Sequence, residues 1–120
     1  MEIRLRRSGQ FHVVEIEGEI DFYSAFRLRN VVKKMIAKKI DHLIIDLEEV
    51  PYVDSSAVGT LVSVHAEAQK KGRSLHITGV QGSVKRAFEL TRVTGSLPIV
   101  ANLEEAAERL SWQSGDIDNA

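Results

Sequence analysis

Asp54, Ser55 and Ser56 stand side by side between two largely apolar segments, residues 50–53 and 57–62. An acid beside two hydroxyls suits three purposes. A hydroxyl can act as a nucleophile if a base lies within reach, or it can receive a phosphoryl group from another protein. Alternatively the trio only satisfies the first free amides of a helix, the usual task of Asp and Ser at such a place. The hydrolase reading finds little support. No G-x-S-x-G elbow is present, and His65 lies ten residues beyond Ser55, about three helical turns away and out of contact. The segment also lacks the glycines and lysine of a phosphate-cradling loop, so nucleotide hydrolysis has no basis here. His12, His42 and His76 show no ligand spacing and the chain has no cysteine. Neither a metal, a cofactor nor catalytic machinery is expected.

The elements that position this trio follow from the period of the apolar residues. Ile3 and Leu5 alternate with charges, Gly9 marks a turn, and Val14, Ile16 and Ile20 alternate with Glu15, Glu17, Glu19 and Asp21. That pattern predicts a hairpin with one wet face. From Ser24 the spacing becomes helical, with Leu28, Val31, Val32, Met35 and Ile36 as the apolar stripe and a basic outer face. Residues 42–47, His-Leu-Ile-Ile-Asp-Leu, form a short apolar run that belongs in mid-sheet, covered on both faces. A second helix is expected from about Ser55 to Lys71, stopped by Gly72. Residues 74–78 follow as a strand, then a helix capped by Ser83 and broken by Gly95, a brief edge strand at 97–100, and a last helix from Asn102. The order β-β-α-β-α-β-α-β-α predicts an α/β fold with a mostly parallel central sheet, an N-terminal hairpin and about four helices.

In this frame Asp54 and Ser55 lie at the carboxyl end of a central strand, where open α/β sheets gather their sites. Asp21 closes the acidic row at the start of the first helix. If the two strands are neighbours, Asp21 and Asp54 flank the hydroxyls. A length of 120 residues and 43% hydrophobic content suit one domain, assigned to residues 1–110, with a flexible polar tail at 111–120. Sixteen basic against seventeen acidic side chains leave a net charge of −1. Neither direct nucleic-acid binding nor membrane insertion is expected from that balance, and a cytoplasmic location suits a chain without a signal-peptide pattern.

The segments "VEIEGEIDFYSAFRLRN", "HLIIDLEEVPYVDSSAVGTLV" and "GVQGSVKRAFELTRV" together resemble the STAS domain family over almost the whole chain, and most closely the stand-alone bacterial anti-sigma factor antagonists. The resemblance implies a non-enzymatic switch. Ser55 would be phosphorylated by an anti-sigma factor that is also a serine kinase of the GHKL ATPase type, and a PP2C-type phosphatase would remove the phosphate. The unmodified form would bind the kinase and release a sigma factor, with Asp21, Asp54, Ser55, Ser56 and Gly59 in the partner-binding surface. Ala57 stands where the family commonly has Gly. The alternative within the same fold is an unphosphorylated structural adaptor, such as an accessory subunit on a transporter ATPase.

Overall fold

In a computed structural model, which describes residues 1–113 of the chain, strands β1 (Glu2–Ser8) and β2 (Phe11–Glu17) form an antiparallel hairpin turned at Gly9. Helix α1 (Phe22–Ala37) leads to β3 (His42–Glu49), α2 (Ser55–Lys70) to β4 (Ser74–Thr78), and α3 (Gly82–Leu90) and α4 (Leu103–Gln113) complete the order. The sheet runs β1-β2-β3-β4, and β3 pairs in parallel with both neighbours. Leu43, Ile45 and Leu47 of β3 face the main core beneath α1, α2 and α3, while Ile44 joins Phe11, Val13, Val100 and Ala106 in a smaller cluster under α4. A strand apolar on both faces therefore lies in mid-sheet, as its composition dictates.

Four details differ from the sequence pattern. The fifth strand is reduced to one parallel bridge, Ile77 to Ile99. Pro98 has no amide to donate, and only its carbonyl (2.9 Å from the Ile77 nitrogen) and the Val100 amide (2.8 Å from the Ile77 oxygen) reach β4. Ser83 does not cap α3. The N-cap is Gln81, and the Ser83 hydroxyl instead donates to the Pro51 carbonyl, tying α3 to the loop ahead of Asp54. Nor does Gly95 end that helix, which stops at the Thr91 cap with Arg92 already left-handed (φ 58°). The hairpin is wet on one face only in part. Glu15 and Glu17 pair there with Arg6 and Arg4, but α4 covers Phe11 and Val13, and Leu5 is 59% exposed.

Helix α4 begins at the expected place, where the Asn102 side chain accepts the Glu105 amide (2.9 Å), and runs to Gln113, three residues into the segment assigned to a tail. The rest of that segment lies outside the described residues. Among the described residues, no helix is long and apolar enough to cross a membrane.

Candidate functional site

Helix α2 starts at Ser55 because Asp54 is extended (φ −92°, ψ 178°) and its Oδ1 accepts the Ala57 amide at 2.9 Å. The capping duty expected of an Asp-Ser pair is thus discharged by the acid alone. Ser55 is the first helical residue and is exposed, and its hydroxyl has no hydrogen-bond partner among the described residues. Ser56, the next residue, is half-buried. Ala57 is fully buried, so its methyl group faces the core and not the surface.

The strand ends do become neighbours. Ile20 bridges Val53 in parallel, and its amide and carbonyl bond Tyr52 O (3.0 Å) and Asp54 N (3.2 Å). This contact carries Asp54 to the start of α1, where its Oδ2 accepts the Phe22 amide at 3.0 Å. One carboxylate therefore serves the first turns of two helices, where unpaired amides and the dipole favour negative charge. Asp21 caps α1 in its own right. Its Oδ1 accepts the Ser24 amide (2.9 Å) while the Ser24 hydroxyl accepts the Asp21 amide (2.9 Å), a reciprocal capping box. The Ser24 amide is the main cause that holds the Asp21 carboxyl below its ordinary pKa. The acidic row does not continue to it, since β2 ends at Glu17 and Gly18 turns the chain in a left-handed conformation (φ 97°).

Sequence patterning missed the apolar border of this site. Phe22, Tyr23 and Phe26 are 54%, 80% and 52% exposed, and Phe22 packs edge-on against Tyr23 and Phe26 with ring centres 5.4 and 5.6 Å away. A groove of about 270 Å³ between α1 and α2 runs from Phe22 and Phe26 past Arg29 to Ser56, Gly59 and Ser63. The signal was available: Phe22 and Phe26, four residues apart, lie off the buried stripe of Ala25, Leu28 and Val32. Gly59 is exposed and a Cβ there would meet nothing within 4 Å, so packing within the chain does not demand a glycine. Tyr52, 48% exposed, adds a further aromatic ring on the loop before Asp54.

The histidines stay apart from this site. His65 is half-buried on α2, and burial lowers its pKa. His42 Nδ1 lies 2.8 Å from the Ser74 hydroxyl. Burial, and secondarily Arg7, lowers the pKa of His12. Among the described residues no three His, Cys, Asp or Glu side chains gather as a metal site would require. The Ser55 region therefore offers an accessible hydroxyl, two helix starts fastened by one carboxylate, and an aromatic border.

Among curated proteins, the anti-sigma-B factor antagonist of Staphylococcus aureus is 29% identical over 91 residues, which cover 76% of this chain and 84% of that protein. An anti-sigma factor antagonist from Mycobacterium paratuberculosis has a similar structure, with a TM-score of 0.79 at 21% identity over 90% of this chain and 92% of that one. The Bacillus cell fate determinant SpoIIAA in its phosphorylated form gives 0.67 at 19% identity over 91% of this chain and 99% of that one. The family profile of the STAS domain matches residues 2–106, the whole sheet and every helix up to the first turn of α4, so the chain belongs to the STAS domain family.

Proposed function

We propose that this protein is an anti-sigma factor antagonist that binds an anti-sigma factor with serine kinase activity while unmodified, releases a sigma factor by doing so, and is switched off by phosphorylation of Ser55. The observation that carries this reading is the division of labour at the start of α2. Asp54 supplies the cap, which leaves the Ser55 hydroxyl exposed and unengaged at the helix N-terminus. The role named for the Staphylococcus aureus relative, and the phosphorylated form in which the Bacillus relative exists, point the same way.

Ser55 acts as a substrate hydroxyl in this scheme. Among the described residues no side chain bonds the Ser55 hydroxyl as a general base would, and a kinase of the GHKL ATPase type supplies ATP, metal and base. A PP2C-type phosphatase reverses the step, and the whole cycle takes place in the cytoplasm. The partner covers Ser55, Ser56 and Gly59 with the groove beside them, and Asp21 and Asp54 fix the two helix starts that frame the contact. The exposed rings of Phe22, Tyr23 and Phe26 give that surface its apolar anchor. A phosphate on Ser55 brings about −1.5 to −2 charges into a patch that the partner must desolvate, which opposes binding by several kcal/mol when an acid faces it.

Intact-mass spectrometry after incubation with ATP and the serine kinases of the source cell tests the proposal. One phosphate mapped to Ser55 is the expected result. No phosphate in the presence of active kinases would instead favour a structural adaptor that binds regardless of phosphate.

A further inference from the structure

A second site lies at the far end of α2. His65 and Gln69 of α2, Arg73 and His76 at the start of β4, Pro98 of the following loop and Arg109 of α4 line a cavity of about 550 Å³. Gln69 is fourteen residues beyond Ser55, about 21 Å along the helix, so this cavity is separate from the switch surface. Behind its walls, with almost no surface open to the cavity, Arg73 Nε and His76 Nδ1 are buried without a hydrogen-bond partner among the described residues. His76 is only 4% exposed, and a native interior seldom leaves such groups unmet.

The described lining contains two guanidinium groups and two imidazoles but no carboxylate. Each arginine has an outside partner, Asp41 at 3.2 Å for Arg73 Nη1 and Glu105 at 3.0 Å for Arg109 Nη2. A guanidinium carries five N–H donors, so both keep donors to spare. We propose that this cavity binds a small phosphomonoester through its phosphate group. Two guanidiniums from different elements, each with donors that its ion pair leaves over, match an oxyanion that accepts from several directions. Leu97 and Pro98 give an apolar wall for the rest of the molecule, and the volume is of the size that small ligands occupy. The positive field is felt by His76 itself, whose pKa burial first, and then Arg109, His65 and His42, lower to about 4 against a weaker pull from Glu105.

The test is an NMR titration of the histidine ring signals of the full chain with glycerol 3-phosphate and inorganic phosphate, against sodium chloride and acetate at equal ionic strength. Saturable shifts at His76 and His65 with both phosphates, absent with chloride and weaker with acetate, are expected. Arg109→Ala, an exposed position, should weaken binding at least about tenfold with the circular dichroism spectrum unchanged. Arg73→Lys, which keeps the charge but removes the planar fork of donors, should weaken it as well. Shifts that do not saturate, equal affinity for acetate, or undiminished affinity in both variants would overturn the assignment.

Discussion

Asp54 spends one carboxylate on two backbone amides, those of Ala57 and Phe22, and so couples the starts of α1 and α2. Its replacement by Ala should cost about 2 kcal/mol, the sum of a lost cap and a second lost hydrogen bond, and Asp54→Asn should cost less because an amide oxygen can still cap. Urea unfolding midpoints measure both. Ser55 carries no such duty. Ser55→Ala should leave stability within about 0.5 kcal/mol of the unmodified chain, whereas Ser55→Asp should keep the fold and lose affinity for the anti-sigma factor; binding assays on folded variants separate the two effects. His76 gives a pH prediction with a definite sign. Its folded pKa of about 4 lies below the unfolded value of 6.5, so between those limits the unfolded chain binds the extra proton. Stability should thus be unaffected by this ring above pH 6.5 and fall as pH drops toward 4. Denaturation at pH 7 and pH 5, with the ring signal of His76 followed by NMR, checks it; a ring that titrates at its ordinary pKa would contradict the burial argument.

At the scale of elements, α2 packs against the core through one face and presents Ser55, Gly59 and Ser63 on another. Gly59→Ala should raise stability by about 0.5–1 kcal/mol, since helix propensity improves and the added methyl meets no atom. The same variant should weaken the partner complex if the groove is a contact surface. Gly79 behaves oppositely: it is left-handed (φ 76°), and a Cβ there would come within 2.9 Å of Glu48 Cα and 2.8 Å of Asp46 Oδ1, so Gly79→Ala should be strongly destabilising. Much of this architecture was legible in the sequence. The shift of apolar period at the first helix, the unbroken apolar run of β3 and the glycine after Lys71 each reflect local physics that tertiary contacts reinforce. Where the pattern failed, a distant contact decided. Ser83 had the chemistry of a cap but met the Pro51 carbonyl first. The edge strand shrank because Pro98 has no amide to pair. The neighbourhood of Asp21 and Asp54 depended on a bridge between Ile20 and Val53, which no local signal specifies. Ser55's freedom from capping needed the geometry of Asp54 to be seen.

For the whole molecule, a fold held by core clusters on both faces of the sheet and the proposed switch on its surface are separable. Among the described residues twenty-three buried side chains make up the main cluster, and none is Ser55, so a phosphate there would add charge without disturbing packing. At the N-terminus of α2 the dipole favours the phosphate by about 1 kcal/mol, while Asp54 nearby opposes it. Phosphorylated and unmodified chains should therefore unfold within about 1 kcal/mol of each other. Their affinities should differ far more, because a partner that buries this surface meets the charge directly. Isothermal titration of the anti-sigma factor with unmodified chain and with chain fully phosphorylated at Ser55 tests the central claim most directly. The switch predicts tight binding by the unmodified form and a loss of at least about a hundredfold on phosphorylation. Equal affinity for the two forms would contradict it.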